Sequence, residues 1–550
     1  MKMTYSFAWL NIKKALNKID WKLLLFLMLF LNVKLSVKIP AIIIIYLLQF
    51  NFRFGFSIKN SRLPLFYLLV MVIAFIDLII NKSYGNPYYF LVFFTGIGFW
   101  LLCILAIHQV KILVENNDVE TIHKTILVFF VINAVFSFYN IAHIIWETGA
   151  INPFQFQGED QKYFIGTGDY IKGITFDTST ANAVINAFGV IYFFTKKNPA
   201  MMLICMAVLL LTGSNFINLA LLFILALLFL FKSSSDQKSL IIICLMFLVV
   251  FMAKISPQNN EYVVKTIKNI FYLQKKATAT ATVEKPDIIP GPEEKKRAIA
   301  TRYLDSIRYI INNSEIHQTP SQAAQLPKTD KGRILIIGPN INKPPYLTST
   351  DTTPEQKHLL NFISTYSFKL PLAGQSTFKP GLPGKVIGLL QTENFFLHHP
   401  TKIIAGEGMG NFSSKLAFRA SGLGFAGSYP EHHAFINGDF FPNHLDLYLN
   451  YFSRKSGLHS VINSPYSVYD QMLAEYGLLG LSAFLIFYLG FFIKHYKKLT
   501  YGIPMLMLML CVFFIDYWFE QLSVVVFFEL LLLLNIKETT YLKPVSYGHK

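Results

Sequence analysis

Three separate stretches of the chain combine basic, hydroxyl-bearing or carboxylate side chains with glycines. Residues 384–412 contain Lys385 and a His399-Pro400 pair. Residues 466–485 begin with Tyr466, and the segment 211–215 ends with Asn215. Lysine and arginine stabilise negative charge that grows on a leaving group, and histidine or a carboxylate can accept a proton from a hydroxyl. Together these residue types could bind an anionic substrate and move a proton.

The elements that must position these residues are membrane helices. Of the 550 residues, 53% are hydrophobic and only 15% are charged, whereas soluble chains average about 25% charged residues. The mean hydropathy is +0.43. We therefore expect an all-α polytopic membrane protein with about 12 transmembrane helices, since each crossing needs about 20 apolar residues. The firm candidate spans are 63–80, 88–107, 124–145, 181–195, 199–213, 215–231, 239–254, 478–493, 501–518 and 520–535.

Two further apolar runs, 23–36 and 38–50, are short and interrupted by Asn32 and Lys34. They could cross the membrane as a tight pair or lie partly in the interface. Either alternative leaves the orientation of every later helix unchanged.

The placement of basic residues predicts the orientation. With the N-terminus inside, the cytoplasmic segments hold 20 lysines and arginines and the short external loops hold five, Lys34 and Lys38 among them. Cytoplasmic loops retain positive charge during insertion, whereas long segments are translocated largely regardless of charge. We therefore expect cytoplasmic termini and an external segment 255–477. The net charge of +17 then needs no nucleic-acid partner.

This plan divides the chain into four parts. Residues 1–254 form the first part of the membrane domain, with about nine spans. Residues 255–477 form the long external loop, predicted to be partly helical, with a linker at 274–297 rich in Ala, Thr, Pro, Glu and Lys. The apolar piece 333–338 could be a strand. Residues 478–535 hold the last three spans, and 536–550 form a cytoplasmic tail.

The motifs in 384–412 and 466–485 resemble the integral-membrane O-antigen polymerase and O-antigen ligase superfamily. Its members carry a basic residue ahead of His-Pro, then Gly-x-Gly and an aromatic residue, and later a Glu and a Gly-x-x-Gly that opens a span. The matching positions here are Lys385, His399, Pro400, Gly406, Gly408, Phe412, Ser467, Glu475, Gly477 and Gly480. The segment 211–215 is similar to the family's Leu-Thr-x-Ser-Arg.

The resemblance implies a glycosyltransferase that takes a glycan from a polyprenyl diphosphate carrier and gives it to an acceptor hydroxyl. It implies a bacterial inner-membrane location with a periplasmic long loop, no cofactor, and contacts with other polysaccharide-assembly membrane proteins. This chain departs from the family at three positions. Tyr466 replaces a proposed catalytic histidine, Asn215 replaces an arginine, and Lys385 replaces an arginine.

Physical chemistry suggests a role for each candidate residue. A lipid diphosphate gains charge as it leaves, and basic residues at the membrane face stabilise it without a metal. The predicted diphosphate- and glycan-binding residues are Lys172, Lys385, Asn215, Arg419 and Arg302. The predicted catalytic residues are Tyr466, His399 and Asp470, with His444 and His459 as further possible bases. Each of these could instead be an ordinary surface or structural residue. We expect Lys172, Asn215, Lys385 and Tyr466 to approach one another.

Two features of the long loop leave alternatives open. The backbone N–H groups around Gly406, Gly408 and Gly410 could bind phosphate, or the glycines could simply let the chain turn. The segment 431–446 contains three histidines and two aspartates, yet their spacing fits no established metal site. We therefore predict no metal.

The functional alternatives remain polymerase, ligase, transporter and non-catalytic partner. A polymerase adds the carrier-linked saccharide to the next carrier-linked unit, whereas a ligase hands the glycan to a lipid-A core or another acceptor. A lipid-linked saccharide flippase or other transporter would also have about 12 helices, with inverted repeats, but it leaves the long loop unexplained. Motif spacing does not separate polymerase from ligase.

Overall fold

A computed structural model describes residues 18–32, 34–54, 65–155, 167–176, 178–231, 233–257, 383–421, 429–430, 433–440, 444, 447 and 461–541. Over these residues the chain is helical and contains no strand. The predicted strand at 333–338 and the predicted linker at 274–297 lie outside this part of the chain. The all-helical class is therefore confirmed for the described residues.

The helices follow one another in this order: α1 (Trp21–Phe30), α2 (Leu35–Leu48), α3 (Phe66–Ile80), α4 (Pro87–Asn116), α5 (Val119–Thr148), α6 (Ser179–Thr195), α7 (Pro199–Leu211), α8 (Asn215–Phe231), α9 (Ser235–Ile255), α10 (Gly384–His398), α11 (Lys402–Ala405), α12 (Lys415–Ala420), α13 (Val468–Ile493), α14 (Gly502–Val512), α15 (Trp518–Gln521) and α16 (Ser523–Tyr541). Helix α9 ends in a π-helical turn, Phe251–Ile255. Helix α13 contains a π-helical segment, Phe484–Leu489.

Four of the described helices are long and apolar enough to cross a membrane, namely α4, α5, α9 and α13. Six shorter apolar helices accompany them: α1, α2, α3, α7, α8 and α14. The protein is thus a membrane protein by the length and composition of its helices. The figure of about 12 spans stays a prediction.

Polar residues at the helix starts explain why the apolar runs break where they do. Asn86 caps α4 and is followed by Pro87 at the first helical position, where a missing N–H costs nothing. Asp118 caps α5 through the Thr121 amide. Ser234 and Gln237 form a capping box at the start of α9.

Lysines are concentrated at one end of the helix bundle, which we call the basic end. There, Lys537 on α16 donates to Val114 O near the end of α4 at 2.6 Å. Lys196 after α6 and His123 on α5 both contact Glu538, at 2.6 and 2.9 Å. The basic end is therefore stabilised by contacts of Glu538 with α5 and the turn after α6, and by a lysine hydrogen bond from α16 to α4.

The opposite end, which we call the loop end, receives the segment 383–421. Tyr89, near the start of α4, donates to Met409 O at 2.8 Å. Helix α4 has 30 residues, so about 45 Å separate its two ends at 1.5 Å per residue. The described segment 383–421 thus packs at the end of the bundle opposite the basic end.

Helices α1 and α2 form a short hairpin that opens at the basic end. Asp20 accepts from Asn117 at 2.5 Å, and Lys22 donates to Leu48 O at 3.2 Å. Helix α1 has only 10 residues, about 15 Å at the α-helical rise. The expectation that Lys38 belongs to an external loop is wrong, because Lys38 is buried and donates to Phe30 O and to Ser523 Oγ at the start of α16.

The last apolar region contains a second interruption. Helix α14 has 11 residues, about 16 Å, which is short of the roughly 30 Å hydrocarbon core. The chain then leaves the helix over 513–517 and forms the short α15 before α16 begins. Non-helical backbone inside a membrane domain must be covered by protein, and here segments 383–421 and 461–470 supply that cover.

Candidate functional site

Lys385 on α10 joins three segments of the chain. Its ammonium donates to Ser464 Oγ at 2.7 Å, to Ile515 O at 2.9 Å and to Tyr466 O. Burial lowers the pKa of Lys385 to about 7, and the charges of Asp516 and Asp470 oppose that shift. Because an ammonium has three N–H donors, all of them have protein acceptors. Lys385 therefore holds the site together in this structure, and its binding of a diphosphate stays a prediction that requires these bonds to open.

Tyr466 lies beside Lys385 in a buried aromatic cluster. Its ring centroid is 5.3 Å from that of Phe418 and 5.1 Å from that of Tyr517. Lys415 Nζ lies 4.9 Å from the centroid of the Tyr466 ring and 4.4 Å from that of Tyr517. These are cation–π distances, so α12 places a positive charge over the ring of Tyr466, one of the predicted catalytic residues.

Lys415 was not among the predicted site residues, although the sequence contained a signal for it. Lys415 and Arg419 are four residues apart on α12 and therefore share a helical face. Arg419 is half-buried, and its Nε has no hydrogen-bond partner among the described residues. Lys415 is thus a second basic residue beside Tyr466, after Lys385, and Arg419 lies one helical turn further along α12. Arg302, the other predicted arginine, lies outside the described residues.

Asp470, in the first turn of α13, remains a candidate base. It is buried, and one carboxylate oxygen accepts from Thr392 Oγ1 on α10 at 2.6 Å. The other oxygen has no hydrogen-bond partner in the described part of the chain. Asp470 therefore keeps one oxygen available for a proton or a ligand.

Glu475 on α13 occupies the loop that contains the Gly-x-Gly motif. Its carboxylate accepts from the backbone N–H groups of Gly410 at 2.8 Å, Phe412 and Ser413 at 3.1 Å, and Ser414 at 2.9 Å. Successive amides that converge in this way form an anion-binding nest. The anion held here is a carboxylate of the chain itself, so these amides are not available to phosphate.

Two glycines let this loop touch α13 backbone to backbone. Gly406 and Gly477 both have positive φ, at 83° and 63°, which L side chains rarely adopt. A Cβ on Gly477 would lie 2.3 Å from Ile404 O, and one on Gly406 would lie 2.5 Å from Glu475 O. Gly408 N donates to Glu475 O at 3.0 Å. The predicted motif glycines therefore lock the loop to a kink in α13.

Gly480 belongs to the same tight region. A Cβ at this position would lie 2.1 Å from Tyr476 Cβ. Tyr476 in turn accepts from Trp100 Nε1 on α4 at 3.0 Å. The second glycine of the Gly-x-x-Gly pair thus allows the kinked helix to pack against α4.

Lys172 lies in a polar loop that asparagines hold against α5 and α6. Asn140 Oδ1 accepts from the amides of Lys172 and Gly173 at 3.1 and 3.0 Å, and Asn133 Oδ1 accepts from the Ile174 amide at 3.0 Å. Nearby, the exposed Asp169 accepts a hydrogen bond from Ser179 Oγ at 3.5 Å. The backbone around Lys172 is therefore fixed by helices that cross the bundle.

Asn215 begins α8 and is half-buried. The turn before it packs on the Lys172 loop, because a Cβ on Gly168 would lie 2.3 Å from Thr212 O. The four residues expected to converge thus form two pairs: the Lys172 loop with the turn before Asn215, and Lys385 with Tyr466. No contact that we describe joins the two pairs, so their convergence stays a prediction.

The predicted histidines occupy different environments. His399 is exposed, and its Nε2 is 3.8 Å from Asp439 Oδ1. His444 is buried, its Nδ1 lies 3.1 Å from Gln391 Oε1, and its ring is 4.3 Å from the Phe412 ring. Burial lowers the pKa of His444 to about 3. His459 lies outside the described residues.

The described residues contain no group of three or more His, Cys, Asp or Glu side chains placed to hold a metal ion. His432 and Asp446, from the segment considered for a metal, fall outside those residues. Cys103, Cys205 and Cys244 are buried and Cys511 is half-buried.

The arrangement provides two nearby cations, buried carboxylates and tyrosine hydroxyls at one place. Such a set can bind an anionic group and accept a proton from a hydroxyl. No family model, curated protein or solved structure matches this chain. The motif residues and their geometry are therefore the basis for assigning a function.

Proposed function

We propose that this chain is a membrane glycosyltransferase that polymerises oligosaccharide repeat units linked to polyprenyl diphosphate. The observation that carries the proposal is the junction of the two sequence motifs. Residues 384–412 and 466–480 pack together through the Lys385 to Tyr466 hydrogen bond and through the contact of Gly406 with Gly477. Motifs that are far apart in sequence and meet in space are expected of a shared site.

Basic residues next to this junction supply the electrostatics that the reaction needs. Lys415 lies over Tyr466, and Arg419 is one helical turn away. A departing diphosphate gains negative charge, and fixed cations lower the energy of that state. Diphosphate transfer at this position therefore requires no metal.

Tyr466 has a limited role in this scheme. A phenol with an ordinary pKa of about 10 is a poor proton acceptor near neutral pH, and cations close to the ring stabilise a phenolate only partly. Tyr466 is better suited to positioning the substrate through its hydroxyl and ring. Asp470 and His399 remain possible bases.

The proposed location is a bacterial cytoplasmic membrane, with the basic end cytoplasmic and the loop end periplasmic. The clustering of Lys196, Lys537 and their partners at one end of the bundle supports this orientation. The donor and acceptor would then be used on the periplasmic side, and other polysaccharide-assembly membrane proteins are proposed partners.

The test is the glycan ladder of cells that lack the wild-type protein and express single variants. We expect Lys415→Met and Arg419→Met each to reduce polymer at least tenfold, because each removes a cation from the leaving-group side. Lys238→Met, on the first turn of α9 at the basic end, is the matched control and leaves the ladder unchanged.

The products distinguish the competing functions. Loss of long chains while single repeats remain attached to the final acceptor supports a polymerase, whereas loss of all attachment supports a ligase. Accumulation of carrier-linked repeats on the cytoplasmic side would point to a flippase. An unchanged ladder in a strain without the protein contradicts the proposed function.

A further inference from the structure

A small cavity lies between α4, α12, α13 and α15. Its lining includes Trp100, Met409, Ser414, Gln471 and Glu520. The cavity is about the size of one water molecule, which is room for one oxygen-bearing group. It can therefore admit a hydroxyl group while the sugar that carries the hydroxyl lies outside it.

Its wall presents hydrogen-bond acceptors that lack donors. Gln471 Nε2 donates to Glu520 Oε1 at 2.9 Å. The second carboxylate oxygen of Glu520 and the carbonyl oxygen of Gln471 are both buried and have no hydrogen-bond partner in the described part of the chain. Buried polar atoms are normally paired, so this pair of acceptors points to a ligand that donates a hydrogen bond.

Cations stand close to the same carboxylate. Arg419 and Lys415 are the positive charges that act on Glu520. Glu475, which also lines the cavity, is already saturated by four backbone amides. Of the two carboxylates at this cavity, Glu520 alone has an oxygen left for a ligand.

We propose that Glu520, with Gln471 beside it, binds the acceptor hydroxyl and takes its proton during glycan transfer. This inference rests on the proposed function. It assigns the general base, a role for which Tyr466 is unsuited.

The bonds in this step balance without a further reactant. The acceptor oxygen forms a bond to the anomeric carbon, and the bond from that carbon to the phosphate oxygen breaks. The electron pair of the broken bond leaves on the diphosphate. The hydroxyl proton passes to Glu520 Oε2 and is later released to water.

The experiment uses the full-length protein in proteoliposomes with carrier-linked repeat units extracted from cells that lack it. Glu520→Gln keeps the size of the side chain and its bond to Gln471 but cannot accept a proton. We expect its turnover to fall at least about 100-fold, the usual range for loss of a general base, while its affinity for the carrier-linked donor stays within threefold of wild type. Glu529→Gln replaces another buried carboxylate, on α16, and serves as the matched control with near wild-type turnover.

Each outcome decides the matter. If Glu520→Gln keeps more than a tenth of wild-type turnover, or loses donor affinity and turnover by the same factor, Glu520 is not the base although the proposed function stands. If Glu520→Gln does not elute as a folded species, Glu520→Asp is measured instead. Measurable turnover at a shifted pH optimum supports Glu520 as the base. Turnover and a pH optimum equal to those of wild type contradict that role. If the wild-type protein itself transfers no glycan, the proposed function fails and the assignment of Glu520 fails with it.

Discussion

At the scale of single residues, Glu475 occupies the backbone amides of a glycine loop that has the geometry to bind an anion. Four backbone amides converge on its carboxylate, and charge-assisted bonds of this kind are stronger than those between neutral groups. The carboxylate therefore takes the place that an external anion would occupy. It fixes the loop from Gly410 to Ser414 against α13, and α12 with Lys415 begins directly after that loop.

Glu475→Gln is predicted to destabilise the protein by about 3 kcal/mol, because an amide offers one acceptor oxygen and turns its NH₂ towards backbone donors. The measurement is the thermal midpoint of the protein in detergent, followed by size-exclusion elution. Glu393→Gln changes an exposed glutamate on α10 and provides the control. Equal midpoints for the two variants would mean that the amide nest does not stabilise the fold.

His444 predicts a loss of stability in mild acid. Burial keeps its pKa near 3 in the folded protein, whereas an exposed histidine in the unfolded chain titrates near 6.5. Below pH of about 6.5 the unfolded chain binds more protons, so the free energy of unfolding falls by up to about 1.4 kcal/mol per pH unit from this group. His444→Phe, which suits the surrounding phenylalanine rings, should flatten the decline between pH 6.5 and 4, and the exposed His399→Phe should not. Parallel pH curves for wild type and His444→Phe would contradict the assignment.

The residue scale also shows what the sequence could and could not predict. The motif match placed Lys385 near Tyr466, and the structure brings them into a hydrogen bond. The motif did not reveal that the lysine's other donors reach Ser464 and Ile515, because such partners depend on tertiary packing. Glu520 is only the first residue of the predicted span 520–535 in the sequence, because hydropathy does not report which side of a short helix faces a cavity.

At the scale of elements, the kink at Gly477 divides α13 into a part that lines the site and a part that crosses the bundle. The residue has φ of 63° and ψ of −164°, which is non-helical. The sequence predicted a span from 478, and the structure explains that boundary by the glycine. Hydropathy finds such a boundary because the residues before it, Asp470 and Glu475 among them, are polar.

Gly477→Ala is predicted to be severely destabilising. The strained backbone alone would cost about 1–3 kcal/mol, and the added Cβ would collide with Ile404 O. Gly490→Ala on the same helix is the matched control, because its Cβ would meet Leu485 O at an ordinary 3.5 Å. The comparison is the yield of folded, monodisperse protein and its thermal midpoint. A Gly477→Ala protein as stable as Gly490→Ala would show that the kink is not required.

Two short apolar elements could not be resolved from composition. The runs 23–36 and 501–518 have the hydrophobicity of spans, yet α1 and α14 have only 10 and 11 residues. Apolar composition shows that a segment avoids water, but it does not show whether lipid or protein covers the segment. Their end points are instead marked by tertiary contacts that no local pattern predicts, such as Lys38 Nζ with Phe30 O at the end of α1 and Val468 N with Phe513 O after α14.

At the scale of the whole molecule, different interactions hold the helices together at the two ends of the bundle. The basic end is closed by ion pairs and by lysine bonds to helix carbonyls, as in Lys537 to Val114 O. The loop end is closed by backbone hydrogen bonds and glycine contacts around Glu475. The lysines at the basic end agree with the positive charge expected of cytoplasmic loops. The contacts around Glu475 form a site at the opposite end, away from those lysines.

This asymmetry predicts the labelling of single cysteines by a membrane-impermeant maleimide in a background where Cys511 is replaced by Ser. Ile151→Cys, on an exposed turn at the loop end, should react in cells whose inner membrane is intact, whereas Asp236→Cys at the start of α9 should react only after permeabilisation. Lys34→Cys should remain unlabelled in both states, because the α1–α2 hairpin opens at the basic end and its arms are too short to bring the tip to the loop end. Labelling of Lys34→Cys as fast as Ile151→Cys in intact cells would mean that α1 and α2 cross the membrane. Reaction of Asp236→Cys before Ile151→Cys would instead reverse the orientation and place the site, with Lys415 and Glu520, on the cytoplasmic side.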